Sequence, residues 1–399
     1  MSGKKDERVR AIERYFAEVG VVSFKRRDAF FRHFAGRHGT AAAATLERVL
    51  SAPRRRDDLG GYDTLHVSLD RSISAHSLSA ELHREYLSWF VTQAWGSVER
   101  VLDVGCGNGF LTCFYARLFP RAEVIGVDAS TAAIAVAREL AARLRLSRVR
   151  FEVGDVRDLT ALPLEPGFDL IASTLVFHEI VSLPDLRSWS LAARATELAG
   201  TEPPAYLRSL ARLLAPGFGT YVSLERWPDT AHLFLWSHLL ARAGIRVDFG
   251  RSVGLTFRQL EGEHERLPLV VGTGAEAELT VPLDAVVTFA LRPALSDRSR
   301  SPRFDDQLAE TLFEAIASKS LVHGVQVNLP EYSVRFELWR SGALLLEYSY
   351  SNAGYRRLTL GSVQSADDLV AEIDRRTRDY AASPNLKVTT YRDLAGRPE

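Results

Sequence analysis

VLDVGCGNGF, residues Val101 to Phe110, sets three glycines at alternate positions directly behind an apolar run whose only charge is Asp103. A glycine inside a regular element costs roughly 0.5–1 kcal/mol relative to alanine, so such a cluster needs a reason in what approaches the main chain. A bound ligand is the first candidate. Around this stretch the pattern alternates. ERVLDVG, AEVIGVD, VRFEVGD, FDLIAST and GTYVSLE are short apolar runs separated by helical stretches at 131–144 and 205–214. Strands alternating with helices mean βαβ units, a parallel sheet and right-handed crossovers. The expected fold class is therefore α/β, with the glycine stretch joining the first strand of the sheet to its helix.

Two phosphate-binding patterns fail on this stretch. A nicotinamide fingerprint asks for G-x-G-x-x-G, and Phe110 stands where its third glycine belongs. A P-loop needs Gly-Lys-Ser or Gly-Lys-Thr, which the chain lacks there.

The order Asp103, Gly105, Gly107, Gly109, with the acidic residue leading, resembles the first motif of the class I, Rossmann-like S-adenosylmethionine-dependent methyltransferases. The resemblance covers roughly residues 75–275. It implies a seven-stranded Rossmann-like sheet and S-adenosylmethionine as cofactor. It also implies that the bare main chain of the loop lies against the methionine and ribose part of that cofactor, with Asp103 holding the loop and the cationic amino group. Cys106 falls in the variable slot of the loop, where small residues are usual. Asp128, ending AEVIGVD, matches the second motif, a carboxylate that accepts both ribose hydroxyls, with Ala129 beside it. Asp155, ending VRFEVGD, matches the third, in which the acidic side chain takes the exocyclic amine of adenine and Val156 offers a backbone amide. Thr174, ending FDLIAST, completes the expected cofactor set. Taken singly, Asp128 before AST and Asp155 before VRDL also suit helix caps or turns.

The fourth strand should end at the mouth of the site, because open α/β sheets bind ligands at the carboxyl ends of their strands. His178 lies just past it. In small-molecule O-methyltransferases a histidine near this point, often followed by an acidic residue, takes the proton of a substrate hydroxyl. The pair here is His178-Glu179, and imidazole is the side-chain base that ordinarily titrates near neutrality. The other reading is a histidine that braces the loop. Glu225, closing VSLERW, could reach a substrate amine or a cation, or pair with Arg226. Trp189, Tyr206 and Trp227 are candidate apolar walls. H-E-x-x-H fails because position 182 is Ser, so no metal site is expected.

Composition bounds the rest. The chain has 399 residues, 46% of them hydrophobic and 25% charged, with 50 basic against 50 acidic side chains. That balance fits a globular protein and lacks the basic excess that drives nonspecific nucleic-acid binding. The two cysteines, Cys106 and Cys113, cannot staple a chain of this size, and no apolar run is long enough to span a bilayer. A cytoplasmic protein is the expectation.

Three parts are expected: an N-terminal helical region at 1–74, the methyltransferase domain at 75–275, and a C-terminal α+β domain at 276–399. The N-terminal helices run to about residue 52, with 53–74 read as loop and a long helix from 77 to 95. The tail should hold a helix at 304–319, three strands between 325 and 359 with one face exposed, and a helix at 366–380. Its use stays open between recognising a carrier or peptide substrate, pairing protomers into a homodimer, and covering the core.

The leading expectation is methyl transfer to an O or N nucleophile of a small-molecule or peptide acceptor in specialised biosynthesis. Competing with it are aminopropyl transfer on the same fold, which wants more acidic residues than FDLIAST shows, and a cofactor-binding protein without turnover that works as an interaction module.

Overall fold

The protein is described by a computed structural model covering residues 2–51, 62–181, 184, 191–227, 229–260, 264–275, 279–296, 303–316, 318–342, 344–362, 366–382 and 386–398. The chain divides into two compact units. The first gathers Met1–Ser182, Pro203–Arg226 and Leu239–Leu279, and the second Leu183–Glu202, Trp227–His238 and Thr280–Glu399.

In the first unit the five apolar runs form parallel strands: β1 Arg100–Val104, β2 Glu123–Asp128, β3 Val149–Val153, β4 Leu170–Thr174 and β5 Thr220–Leu224. They lie in the order β3-β2-β1-β4-β5. Val101, Leu102, Val124, Ile125, Leu170 and Ile171 are wholly buried, although they alternate between sheet faces. Burial on both faces is why these strands read as unbroken apolar runs.

Beyond β5 the sheet continues through β6 Ile245–Val247, β7 Val253–Arg258 and β8 His264–Gly274. β8 runs antiparallel to β5 and pairs with both β6 and β7, so the sheet has eight strands, seven of them on one continuous path. IRVDFG and GLTF, two apolar runs close in sequence, form separate strands. Asp248 turns the chain between them, accepting the Arg251 N–H at 3.1 Å. Asp169, just before β4, accepts the main-chain N–H groups of Glu99 and Arg100 at 2.7 and 2.9 Å and ties the starts of β1 and β4 together.

The N-terminal cap is built from helices Ser2–Val19, Arg27–His38 and Thr40–Ser51. Phe30 and Phe34 pack with Ala43 and Leu46, while Tyr15 and Phe16 meet Phe110 with ring centroids 5.0 and 5.3 Å apart. The segment expected as loop is structured from residue 62 on. A 3₁₀ turn spans Thr64–His66 and a helix spans Leu69–His76, started by Ser68, whose Oγ accepts the Arg71 N–H at 3.3 Å. Residues 52–61 lie outside the described residues. The expected long helix at 77–95 is a 3₁₀ turn, Ser77–Ser79, followed by Ala80–Phe90. Tertiary burial of Leu69, Ile73 and Ala75 holds a polar stretch helical that local pattern alone assigned to loop.

In the second unit six antiparallel strands follow the order β14-β10-β11-β12-β13-β9. They are β9 Arg303–Asp305, β10 Ser320–Asn328, β11 Ser333–Ser341, β12 Leu344–Ser351, β13 Arg356–Ser362 and β14 Lys387–Tyr391. The expected exposed face does not exist, since Leu345 and Leu346 point to opposite faces and both are fully buried. Phe313 of helix Asp306–Ala315 packs with Leu346, and Ile373 of helix Ala366–Ala381 packs with Leu345. A sheet covered on both sides has no solvent face to alternate toward.

Two buried imidazoles in the cap carry a pH signature. His76 and His83 stack at 4.2 Å, His76 lies 4.4 Å from the Phe110 ring, and burial holds both below the usual imidazole range, His83 down to about 4. As pH falls from about 6.5 toward 4, the unfolded chain binds protons that the folded chain refuses, so stability is lost across that window. Urea denaturation of wild type and His83→Leu at pH 7.5 and 5 should show the wild type losing more on acidification, by about 2 kcal/mol.

Candidate active site

The loop after β1 is held by the end of β2. Gly105 and Cys106 both donate their N–H groups to the Val127 carbonyl, at 2.8 and 2.9 Å. Gly107 donates to Asp128 Oδ2 at 2.9 Å, and Ser130 N–H donates to Asp128 Oδ1 at 2.9 Å. Gly105 sits at φ +70° with the Val176 side chain in the space a Cβ would fill, and Gly107 at φ +52° with the Tyr62 hydroxyl 2.9 Å from such a Cβ. Any other residue at either position would be strained and crowded. Gly109 leads into helix Phe110–Leu118.

The carboxylates differ sharply. Asp103 is buried, with Thr112 Oγ1 donating to it at 2.5 Å, and burial pushes its carboxyl up to about 7. Asp128 is also raised by burial, although two N–H donors oppose the shift. Each of its oxygens has one main-chain donor and room for another. Its neighbour Ser130, rather than Asp128, caps the next helix by accepting the Ala133 N–H at 3.0 Å. Ala129 is the half-buried residue between them. Asp155 is the N-cap of a 3₁₀ turn, Val156–Ala161, and its carboxylate takes the Arg157 N–H and guanidinium, which hold it below the usual range. Val156, buried, opens that turn. Cys106 is buried in the loop and its thiol is raised well above the usual range by burial. Thr174 ends β4 beside the Tyr86 and Tyr115 phenols, which are 2.7 Å apart.

These pieces fit an adenosyl amino acid that carries positive charge. Two glycine positions with no tolerance for a Cβ leave bare main chain. A desolvated carboxylate with spare acceptor capacity suits a vicinal diol, and a buried carboxyl at about 7 gains from a nearby cation.

At the end of β4, Leu175 adopts the left-handed conformation, φ +59°, while donating its N–H to the Leu224 carbonyl at 2.8 Å. The kink sends Val176 over Gly105 and His178 toward β5, where Glu225 waits. The Glu225 side chain is 1% exposed. Its Oε2 accepts the N–H groups of Val176 and His178 at 3.0 and 3.2 Å, and His178 Nδ1 lies 2.9 Å from the same oxygen. Ser173 Oγ is 3.3 Å from Oε1. An oxygen already fed by two N–H groups acts as acceptor, so Nδ1 carries a proton and the lone pair of the neutral ring falls on Nε2. Among the described residues Nε2 has no hydrogen-bond partner, and Glu179 Oε1 stands 3.9 Å away.

Glu225 is thus not the partner of Arg226, which pairs with Glu265 at 2.8 Å. The contact spans 47 residues in sequence, and no local spacing signals it. Of the expected walls, Tyr206 stacks on Phe177 at 6.1 Å, Trp227 packs on Trp236 at 5.4 Å in the second unit, and Trp189 lies outside the described residues. Among the described residues no group of three or more His, Cys, Asp or Glu could hold a metal ion, and no helix is long and apolar enough to cross a membrane.

Comparison with known proteins decides the family. A family model described as a methyltransferase domain matches residues 96–239. The trans-aconitate 2-methyltransferase of Variovorax paradoxus (strain S110) is 32% identical over 185 residues, covering 39% of this chain and 68% of that protein. This chain is a class I S-adenosylmethionine-dependent methyltransferase. The malonyl-[acyl-carrier protein] O-methyltransferase of Bacillus anthracis is 34% identical over 104 residues, covering 26% of the methyltransferase and 34% of that protein. The chain therefore spans about two thirds of the first relative and about a third of the second. The crystal structure of a SAM dependent methyltransferase from Aquifex aeolicus aligns with 46% of this chain and 87% of that one, at 21% identity and a TM-score of 0.31. At that score the strand order, rather than the superposition, carries the fold.

Two substitutions check the loop. Gly105→Ala must move Val176 and strain φ, so it should lower stability by about 1–3 kcal/mol in thermal melts and weaken S-adenosylhomocysteine binding. Asp103 binds a proton in the folded state between about pH 4 and 7 that the unfolded state releases, so its burial costs stability as pH rises through that window. Asp103→Asn should therefore gain stability over wild type between pH 5 and 8 in urea titrations of the ligand-free protein.

Proposed function

We propose that the methyltransferase transfers a methyl group to a hydroxyl or amine of a small-molecule, peptide-borne or carrier-borne acceptor, with His178 taking the acceptor's proton. The single observation that carries this reading is the buried Glu225 on His178 Nδ1, at 2.9 Å. A carboxylate there fixes the ring and its tautomer and stabilises the imidazolium that forms, so Glu225 is a positioning residue for a catalytic His178. His178 lies two residues beyond Val176, whose side chain rests over Gly105, and so stands where β1 and β4 part, the crevice that open α/β sheets use for ligands.

In the same reading Gly105, Cys106 and Gly107 give the cofactor main-chain contact, Asp103 faces its cationic end, and Asp128 with Ala129 grips the ribose. Asp155 and Val156 meet the adenine, and Thr174 closes the slot. When bound, S-adenosylmethionine supplies a methyl carbon on a cationic sulfur. The chain's own part is to exclude water, aim the acceptor oxygen or nitrogen, and move its proton to His178 Nε2. The relatives' names, trans-aconitate and malonyl-[acyl-carrier protein] methyltransferase, support small-molecule and carrier-borne acceptors. We place the enzyme in biosynthesis in the cytoplasm, and assign 276–399 to recognition of the acceptor or of a second copy.

The test is S-adenosylhomocysteine release with panels of hydroxyl, amine and carboxylate acceptors. His178→Ala should cut kcat by about 10²–10⁴-fold on hydroxyl or amine acceptors while cofactor affinity persists. Glu225→Gln should cut it less, and Asp128→Ala should weaken cofactor binding with kcat at saturation largely kept. Unchanged turnover in His178→Ala sinks the base assignment and favours an acceptor that arrives without a proton, as a carboxylate does.

A further inference from the structure

A second chain of polar groups borders the glycine loop from the cap side. Asn108, between Gly107 and Gly109, accepts the Phe110 N–H on Oδ1 at 3.2 Å, which fixes its amide orientation. Its Nδ2 then donates to Ser72 Oγ at 3.0 Å. Ser72 Oγ lies 2.9 Å from His66 Nδ1. All three side chains are buried: Asn108 is 5% exposed, Ser72 2% and His66 8%.

One arrangement of protons along this chain gives the buried Ser72 hydroxyl an acceptor. Ser72 has a single hydroxyl proton, and His66 Nδ1 is its only acceptor among the described residues. In that arrangement Nδ1 accepts and neutral His66 carries its proton on Nε2, whereas the reverse tautomer leaves the Ser72 hydroxyl proton without an acceptor among the described residues. Burial keeps the ring neutral by lowering its titration to about 4. Nε2 is itself buried, with no partner among the described residues. A buried donor left unpaired is costly, so it marks a place for an acceptor atom.

We infer that His66 Nε2–H is a cofactor-binding group that hydrogen-bonds the carboxylate at the methionine end of the cofactor. The assignment rests on the cofactor placement proposed above. The carboxylate is the one anionic group an adenosyl methionine carries. Asn108 lies two residues before the start of the nine-residue helix Phe110–Leu118, whose N-terminus favours negative charge. The 3₁₀ turn bearing His66 is fixed at its other side too, because Asp63 accepts the Ser130 hydroxyl at 2.5 Å, next to Asp128. The Tyr62 ring meets His66 at 4.6 Å while its hydroxyl stands over Gly107. The segment from Tyr62 to Ser72 thus reaches the loop at Gly107 and Asn108 and the end of β2 at Ser130, as an outer wall of the cofactor slot would.

The test uses two thioether probes, S-adenosylhomocysteine and 5′-methylthioadenosine, which lacks the amino-acid end. Calorimetry on His66→Phe, which keeps an aromatic ring against Tyr62, should show S-adenosylhomocysteine binding weakened about 10-fold or more, with methylthioadenosine unchanged. His66→Gln, which restores an N–H donor, should recover part of the loss. Both probes unchanged, or both weakened equally, overturns the assignment. Wild-type protein that binds neither probe overturns the cofactor placement itself and the His66 role with it. Independently of any variant, nitrogen-15 spectra of the ligand-free wild type should show His66 as the Nε2–H tautomer, and an Nδ1–H tautomer overturns the inference.

Discussion

One carbonyl organises the site. Val127, the penultimate residue of β2, receives the N–H groups of both Gly105 and Cys106, and the next residue, Asp128, receives that of Gly107. The glycine loop after β1 therefore takes its shape from the neighbouring strand and not from its own sequence. This is possible because β1 and β2 are parallel and in register from Arg100 opposite Glu123 to Val104 opposite Val127, so both strands end at one level. Had the loop been left to satisfy its own donors, it would have closed into an ordinary turn with its N–H groups turned inward. Anchored this way, it keeps Gly105 and Gly107 at positive φ, with the Val176 side chain and the Tyr62 hydroxyl against them.

The same economy recurs wherever a carboxylate is buried. Glu225 collects main-chain N–H groups and an imidazole, Asp103 a threonine hydroxyl, and Asp128 two main-chain donors. In the second unit Glu337 gathers the Trp339 indole and the Tyr350 and Tyr391 hydroxyls, with Arg397 Nε 3.0 Å from it. Burying such a group is tolerable only when donors replace lost water. The degree of replacement separates the roles. Glu337 is surrounded and structural, whereas Asp103 and Asp128 are raised by burial and retain capacity for further donors.

Legibility in the sequence followed the range of the interactions. The five parallel strands could be read because residues such as Leu102 and Ile125 are buried whichever face they point to, and the loop could be read because glycine spacing is a local property. The stretch from Asp63 to Ser72 could not, since Ser72 and Asp63 are held by contacts with Asn108 and Ser130, 36 and 67 residues away. Glu225 is visible in the sequence as a strand-end carboxylate with Arg226 as one possible partner, but His178 is not among the partners it suggests, because neighbours in sequence are the only neighbours a sequence displays. In the tail, helices on both sheet faces removed the alternation that an exposed face would have imposed, and β14 was missed altogether.

The left-handed residue at the end of β4 links these observations. Leu175 pays of order 1 kcal/mol to stand at φ +59°, and the turn it makes sends Val176 onto Gly105 and His178 onto Glu225. The packing of Val176 on the glycine loop and the pairing of His178 with Glu225 are thus two outcomes of a single bend. A substitution that straightens the chain at Leu175 would therefore release both contacts together, although the two lie at the ends of different neighbouring strands.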